Sequence, residues 1–376
     1  MKSKSDNNDL ATYYKLLSQA SDYTEIFSQC NGTAVEQKNH LRKEYKKLVK
    51  ALHPDKFTDP NEKQIAQEAF TLLGKFVKEG ELAIENGTYG KPLAKIEFKT
   101  KNAKHILIKK IATGDIADIY SATSVVGGKE KSTIVKITRN SNDNDLATNE
   151  QKLLQKLGKA KDSDNLKHFV TSLIDSFTYN DGAQNHGVTV LENPEIGFID
   201  LETLKNNYFP KGLDPLHVGW IWRRLLLGIE FAHQNNIVHG AILPSNILIH
   251  PALHGVVLSD WCYGIELKKT PKPISAIVSS KKDWYPPEVL AKETPFSGTD
   301  TYLAAKSMIF LLGGDPVEKT FPDTVPIEYQ RYFKGCTVNS SLGRPSDAIS
   351  LLNEFDSILE KIGTPYHPRT YMALAI

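Results

Sequence analysis

The sequence IVHGAILPSNILI, residues 237–249, sets a histidine, a proline and an asparagine in an otherwise apolar frame. A second short apolar run, VVL at residues 256–258, follows it and leads into Asp260. Upstream, several short segments between residues 95 and 137 read as β-strands. Downstream of Leu213 the pattern is mostly helical, most clearly over residues 220–234 and 300–312. This order predicts a small β-rich lobe followed by a larger helical lobe.

Two segments of the β-rich part resemble the nucleotide-binding strands of a protein kinase. IATGDIADIY, residues 111–120, is similar to the Gly-rich loop over the ATP phosphates, although only the middle glycine, Gly114, is kept. In IVKI, residues 134–137, the resemblance implies that Lys136 pairs with the α- and β-phosphates and with a glutamate of the next helix, for which Glu150 is the candidate. Taken alone, these segments are also compatible with a plain hairpin and an exposed strand lysine.

The quoted loop and the strand after it resemble the catalytic loop and the D-F-G segment of the same family. The family's two metal-binding side chains correspond to Asn246 and Asp260, with Trp261 and Cys262 in place of the usual phenylalanine and glycine. The resemblance therefore implies that ATP and Mg²⁺ are the cofactors. The alternative is that Asn246 and Asp260 are only structural hydrogen-bonding groups and that no nucleotide binds.

Three further segments extend the resemblance. YPPE, residues 285–288, is similar to the A-P-E motif, which implies that Glu288 forms a buried ion pair with the late arginine, Arg344. The carbonyl of Glu192 is expected to meet adenine, whereas Pro194 lacks the N–H that normally does so. The Lys-, Pro- and Ser-rich residues 268–282 are predicted to be a disordered loop, with a phosphorylation site or a docking strand as alternatives.

The catalytic loop departs from the family at its reactive positions. Ala241 stands where the family has the aspartate that accepts the substrate proton, Gly240 replaces the preceding arginine, and Leu243 replaces a lysine. The predicted function of this part is a pseudokinase that binds ATP and Mg²⁺ and acts as a scaffold or sensor. Two alternatives stay open: a kinase-fold transferase that works without the usual base, by atypical phosphorylation or nucleotidylation, and a dead nucleotide pocket.

The N-terminal quarter has a different pattern. KNHLRKEYKKLVK, residues 38–50, places apolar side chains on one helical stripe and basic side chains on the remaining surface. A helix is expected to stop at His53, because the residue before a proline disfavours the helical conformation. A second amphipathic helix starts after Pro60, which predicts a helical hairpin.

This hairpin resembles the J-domain of DnaJ-type co-chaperones, and DLATYYKLL, residues 9–17, is similar to that family's first helix. The resemblance implies docking to a DnaK-type heat-shock ATPase chaperone. The residues expected to make that contact are the HPD tripeptide and the basic face of the helix before it: His53, Pro54, Asp55, Arg42, Lys46 and Lys47. The alternative is that His53 and Asp55 merely cap the two helices.

Together these patterns predict an α+β chain: a J-domain helical hairpin bundle at 1–86, a linker at 87–94, and a bilobal kinase-like fold with lobes at 95–194 and 195–376. The net charge of +2 argues weakly against a nucleic-acid partner, and the expected partners are the chaperone and an unidentified protein client. Three widely spaced cysteines, no signal peptide and no membrane-spanning segment predict a cytoplasmic protein without a membrane partner.

Overall fold

The computed structural model describes residues 4–20, 22–85, 87, 89, 96–194, 197–267, 272–363 and 374–376. The chain divides into two compact units: residues 1–111 with 120–130, and residues 112–119 with 131–376. Most of the predicted linker at 87–94, and residues 268–271 of the lysine-rich segment, lie outside the described residues. The domain boundaries predicted from the sequence stay predictions.

In the described part of the first unit the α-helices are α1 (Lys4–Gln19), α2 (Ala34–Leu52) and α3 (Pro60–Glu85), and α2 and α3 correspond to the predicted hairpin. Helix α2 begins with a reciprocal cap, because the Thr33 hydroxyl accepts from the backbone of Glu36 and the Glu36 carboxylate accepts from the backbone of Thr33. It ends at His53, whose extended backbone precedes Pro54. The core of this bundle includes Leu41, Leu73 and Phe76, all almost fully buried.

Tyr89, within the predicted linker, is also part of this core. It is buried, and its ring stacks on that of Tyr23 with the centroids 5.4 Å apart. The first unit continues with strands β1 (Glu97–Lys99), β2 (Ala103–Thr113) and β3 (Ala117–Val126), in the order β1-β2-β3. The turn between β2 and β3, residues 112–119, belongs to the second unit.

A sheet and one helix begin the second unit. Strands β4 (Lys129–Thr138), β5 (Leu173–Asn180) and β6 (Asn185–Glu192) are antiparallel in the order β4-β6-β5, and Lys136 lies opposite Thr189. Helix α4 (Asn144–Lys159) buries four leucines, Ala147 and Glu150. This sheet and helix place Lys136 and Glu150 on neighbouring elements.

The remainder of the second unit is mostly helical, as predicted. Its elements are β7 (Ile199–Asp200), α5 (Leu201–Asn207), α6 (Pro215–Gln234), β8 (Ile237–Val238), β9 (Ile247–His250), β10 (Gly255–Leu258), β11 (Ile265–Glu266), α7 (Pro287–Leu290), α8 (Ser297–Leu311), α9 (Ile327–Cys336) and α10 (Ala348–Ile362). The core of this part lies around α6 and α8, most of whose residues are buried. Two small sheets, β10-β9-β7 and β11-β8, hold the loops of the candidate site.

The helices predicted over 220–234 and 300–312 are confirmed as α6 and α8. Among the described residues, none of the helices combines the length and the apolar character that crossing a bilayer requires.

Candidate functional site

The loop after β8 is held by a buried carboxylate. Asp300, near the start of α8, accepts hydrogen bonds from the backbone N–H groups of His239 and Gly240, each 2.8 Å long. His233 Nε2 lies 3.0 Å from the same carboxylate. Because two consecutive N–H groups bind one rigid acceptor, the backbone conformation of this loop is determined by α8.

The imidazole of His239 is a structural group in this loop. It is fully buried, its Nε2 lies 3.0 Å from the carbonyl oxygen of Ser259, and its ring lies 4.4 Å from that of Trp261. Burial lowers the pKa of His239, even though the nearby Asp300 carboxylate acts in the opposite direction. The ring is therefore neutral at physiological pH and packs as part of the core.

Ala241 follows in the position where the family resemblance expects the proton acceptor. Its side chain is completely buried, and its carbonyl oxygen accepts a 3.0 Å hydrogen bond from Asn246 Nδ2. Gly240 has a φ of +73°, and Leu243 is buried in the main core. A methyl group cannot accept a proton, so this loop supplies no general base at position 241.

A buried ionic network lies beside the loop. Lys136 Nζ is 2.7 and 2.8 Å from the two oxygens of Glu150, and 2.6 Å from Asp260 Oδ1. Lys136 is only 8% exposed, which rules out an exposed strand lysine. Two carboxylates, one from α4 and one from the loop after β10, thus converge on the ammonium group of a β4 lysine.

The network stabilises the charged forms of Lys136 and Asp260, whereas burial raises the pKa of Glu150 even though Lys136 acts in the opposite direction. Burial by itself lowers the pKa of Lys136, but the negative charges around it, Asp260 foremost, outweigh burial and raise that pKa well above its ordinary value. Burial acts to raise the pKa of Asp260, yet the Lys136 ammonium and its hydrogen bond lower it overall. A lysine ammonium has three donors, and three carboxylate oxygens lie within 2.8 Å of this one, so a phosphate would have to displace one of them.

The backbone around Asp260 is bound to α4. Asp260 has left-handed backbone angles, with φ 63° and ψ 67°. The N–H of Trp261 donates to Glu150 Oε1 over 3.2 Å, and Asn149 Nδ2 donates to the carbonyls of Cys262 and Gly264 at 3.0 and 2.8 Å. Sequence reasoning missed Asn149, because no motif marks its distant partners.

Asn246 and Asp260 are linked through Ser259. The backbone N–H and the hydroxyl of Ser259 donate to the carbonyl oxygen of Asn246, at 3.0 and 3.1 Å. Amide and carboxylate oxygens are the ligands that Mg²⁺ prefers, and Lys136 supplies a cation for phosphates. The donor set therefore fits a magnesium–nucleotide complex.

The turn 112–119, which contains Gly114, is tied to the same loops. The Tyr263 hydroxyl hydrogen-bonds to the Asp115 carboxylate, and Arg139 donates to the carbonyl oxygens of Gly114 and Asp115. Ile116 is buried. Neither the Tyr263 nor the Arg139 contact is visible in the local sequence pattern.

The structure also gives the contacts of the predicted ion pair, Glu288 with Arg344, and of the Glu192 side chain. Arg344 and Glu288 form a bidentate buried pair, with Nη1–Oε1 2.6 Å and Nη2–Oε2 3.1 Å, and the guanidinium lies over the ring of Tyr302. The Glu192 side chain is exposed and lies 3.5 Å from Lys131 Nζ. The structure therefore brings Glu288 and Arg344 together, and it places Glu192 at the end of β6.

The HPD tripeptide, residues 53–55, lies in the first unit between α2 and α3. His53 Nδ1 accepts a 3.3 Å hydrogen bond from the Asp55 N–H, and the His53 ring meets Phe70 edge-on, with centroids 5.7 Å apart. The side chains of His53 and Asp55 are 47% and 81% exposed. Arg42, Lys46 and Lys47 are exposed on α2.

The comparisons with known proteins concern residues that lie mostly in the second unit. The sequence model of the family described as Protein kinase domain matches residues 106–338. The probable serine/threonine-protein kinase KKQ8 of Candida glabrata is 35% identical over 83 residues, which are 22% of this chain and 10% of that protein. Cyclin-dependent kinase-like 2 of Rattus norvegicus and of Mus musculus are each 30% identical over 148 residues, 38% of this chain and 27% and 24% of those proteins.

The chain thus spans less than a third of the length of these curated relatives. The family match covers more than half of the 376 residues and includes Lys136, Glu150, Asn246 and Asp260. The chain therefore belongs to the protein kinase domain family.

Proposed function

We propose that this protein is a J-domain co-chaperone whose kinase-like domain binds ATP and Mg²⁺ without transferring the phosphate. The observation that carries the proposal is the exposed HPD tripeptide at the tip of a hairpin whose preceding helix presents a basic face. The unit would recruit a DnaK-type ATPase chaperone. The kinase-like domain would act as a sensor of nucleotide or as a scaffold for a client protein.

Capping does not account for the aspartate of the tripeptide. The first N–H groups of α3 are capped by Asp59, whose Oδ1 accepts from Asn61 and Glu62 at 2.9 and 3.1 Å. Asp55 is four residues earlier, and its carboxylate is 81% exposed. His53 is held by Phe70 and by the Asp55 N–H. These contacts support a rigid loop that offers a charged group to a partner.

The basic face of α2 supports an acidic partner. Arg42, Lys46 and Lys47 project from one exposed surface of the helix that ends at the tripeptide. Clustered charge of one sign raises the association rate with a surface of opposite sign, and the effect weakens with salt. A groove lined by carboxylates on the chaperone is the complementary surface.

The absence of phosphoryl transfer is proposed from Ala241. In the kinase family the residue at this position orients the substrate hydroxyl and accepts its proton. Here the side chain is a buried methyl group. The binding groups for a magnesium nucleotide, Lys136, Asn246 and Asp260, are all present.

Stimulation of a DnaK-type chaperone's ATPase tests the recruiting role. We expect the full chain to stimulate hydrolysis at least about tenfold more than the H53Q variant does, because the tripeptide triggers the reaction. The matched control is H40Q, which makes the same substitution on the same helix away from the loop. Equal stimulation by the wild type and H53Q, or no stimulation by the wild type, would contradict the proposal.

A separate experiment tests the nucleotide role. We expect Mg²⁺ and ATP to raise the melting temperature of the wild type, because ligand binding stabilises the folded state. The shift should be lost in D260A and kept in D323A, an exposed control. No labelled γ-phosphate should appear on the chain or on added protein substrates. A wild type without a thermal shift removes nucleotide binding, whereas phosphate transfer removes the pseudokinase assignment.

A further inference from the structure

His186, near the start of β6, lies between two oxygen atoms. Its Nδ1 is 2.5 Å from the carbonyl oxygen of Thr138 at the end of β4, and its Nε2 is 3.0 Å from Asp181 Oδ2 in the turn between β5 and β6. His186 itself is only 8% exposed. A largely buried imidazole therefore joins the end of one strand to the turn between two others.

The two oxygens require both ring nitrogens of His186 to donate. A neutral imidazole carries one N–H and one lone pair, whereas an imidazolium carries two N–H groups. A carbonyl oxygen can only accept, and so can an ionised carboxylate. Asp181 also accepts from the backbone N–H groups of Ala183 and Gln184, both at 2.8 Å, which favours its ionised form. The geometry is therefore that of a protonated His186.

The pKa shifts of the two side chains agree with this geometry. Hydrogen bonds from the Gln184 backbone, from His186 and from the Ala183 backbone lower the pKa of Asp181 to about 2. The hydrogen bond to Asp181 is the main cause that raises the pKa of His186, the Thr138 carbonyl adds to it, and burial acts in the opposite direction. The proton is thus bound more tightly in the folded chain than in the unfolded chain.

Asp181 is the charged group that acts on the His186 ring. From β5 the ring is faced by Tyr179, whose own ring stacks on it with the centroids 6.1 Å apart. Arg139 follows β4 directly, but its guanidinium donates to carbonyl oxygens of the turn 112–119. The protonation of His186 therefore depends mainly on one carboxylate.

The residues beside His186 hold the connection from β4 to α4, residues 139–143. The Gly187 N–H donates to Oδ1 of Asn144, the uncharged first residue of α4, over 2.7 Å. On the other side of His186, the Gln184 side chain donates to one carbonyl oxygen of the connection and accepts from one of its N–H groups, at 3.2 and 3.3 Å. His186 lies between these contacts in the chain, so its own two hydrogen bonds complete the fastening.

We propose that His186 is a proton-dependent clasp, whose imidazolium fastens the β4–α4 connection to the β5–β6 hairpin and whose deprotonation releases it. A neutral ring leaves either the Thr138 carbonyl or the Asp181 carboxylate without its donor. Because the folded state holds the proton more tightly, the clasp is closed at low pH. It opens as the pH rises above the ordinary range of histidine, about 6.5.

Nitrogen NMR of the histidine rings in the full chain tests the protonation, with His186 assigned by the loss of its signals in H186N. At about pH 7 we expect both ring nitrogens of His186 to carry a proton. In D181N the proton should be lost at a lower pH, because an amide does not stabilise the imidazolium, whereas its oxygen can still accept the two N–H groups of the turn. The control D323N removes an exposed carboxylate and should leave the midpoint unchanged. A single protonated nitrogen in the wild type, or an unchanged midpoint in D181N, overturns the proposal.

Hydrogen exchange, corrected for the intrinsic rate at each pH, tests the release. Protection of residues 139–146 should fall about tenfold between about pH 6 and about pH 8, as expected for the loss of one charged hydrogen bond. H186N should show the low protection at both pH values, because its side chain does not titrate. The matched control H168N changes an exposed histidine of the same unit and should keep the wild-type profile. Protection that is independent of pH in the wild type, or a wild-type profile in H186N, would show that the His186 proton does not hold the connection.

Discussion

Two three-residue loops of this molecule begin with a histidine and end differently. In the first unit the loop is His53-Pro54-Asp55, with the aspartate 81% exposed. In the second unit it is His239-Gly240-Ala241, and the histidine and the alanine are both fully buried. The first loop presents charge to solvent, whereas the second fills space inside the protein. Only the first has the exposed polar groups that a partner protein needs.

The comparison teaches that the environment decides what a loop can do. An exposed carboxylate is solvated at no cost and stays available for a partner. A carboxylate at position 241 would lose its hydration and be surrounded by buried apolar side chains instead. The variants below exchange or remove the features that distinguish the two loops. All four tryptophans lie in the second unit, so tryptophan fluorescence reports the unfolding of that unit.

The largest change in the free energy of unfolding is expected from removing the Asp300 carboxylate, which binds the backbone of the buried loop. D300A leaves the N–H groups of His239 and Gly240 buried without their acceptor, and it should lower the free energy of unfolding by about 3–5 kcal/mol. Urea unfolding followed by tryptophan fluorescence measures this. The exposed control D323A should stay within about 0.5 kcal/mol of the wild type. A D300A effect as small as that of the control would show that other contacts hold the loop.

The second prediction compares two substitutions at the last position of each loop, one that puts an aspartate in the buried loop and one that puts an alanine in the exposed loop. A241D should lower the free energy of unfolding of the second unit by about 3 kcal/mol, because it buries an unpaired charge. The counterpart D55A should change stability by less than about 0.5 kcal/mol, since its carboxylate is exposed. The free energy of unfolding of A241D is measured by urea unfolding followed by tryptophan fluorescence. That of D55A is measured by urea unfolding followed by far-ultraviolet circular dichroism. Similar losses in both variants would remove the distinction between the loops.

The third prediction concerns the pH dependence that the buried histidine causes. Burial lowers the pKa of His239, so the unfolded chain binds a proton near pH 6.5 that the folded chain does not bind. The contribution of His239 to the free energy of unfolding should therefore fall as the pH drops below about 6.5, with a slope of at most about 1.4 kcal/mol per pH unit. His217 is shifted in the same direction by burial, so the difference between wild type and H239N isolates His239.

That difference is measured by urea unfolding at several values between pH 5 and pH 8. The H239N variant should be less stable throughout, because it loses the packing against Trp261, but its stability should depend less steeply on pH than that of the wild type. Parallel curves for the two proteins would mean that His239 is protonated equally in the folded and unfolded states.

The smallest effect on stability is expected on the basic face of the exposed loop's helix. K47A should change the free energy of unfolding by less than about 0.5 kcal/mol. It should slow association with the chaperone about threefold at low salt, and less at high salt, because screening weakens the attraction. Stopped-flow association at two ionic strengths measures this. A rate independent of salt in the wild type would contradict electrostatic steering.

Much of the fold was predictable because the signals are local. The helical stripe at 38–50 and the proline after His53 predict α2 and its end from residues within one turn of each other. The pairs Lys136–Glu150 and Glu288–Arg344 follow from motif positions, although their partners are distant in the chain. The linker at 87–94 gave no sign that Tyr89 would stack on Tyr23.

The contacts that close the candidate site were not predictable. Tyr263 meets Asp115 across 148 positions of the chain, and Asn149 meets Cys262 across 113. Neither pair has a periodicity or a motif that marks it. Ile274 lies close to Gly240, whose φ of +73° is a conformation that glycine permits but does not require.

The amino-acid sequence alone determined which chemistry is present: a charged HPD tripeptide beside a basic helix, and a kinase catalytic loop that carries alanine in place of its aspartate. Helix period, proline positions and residue identity are local properties, so they survive without coordinates. The tertiary structure decided which of these groups meet solvent and which meet one another. Exposure and burial both depend on packing between elements far apart in the chain. Exposure leaves the Asp55 carboxylate available, and burial closes the Ala241 loop.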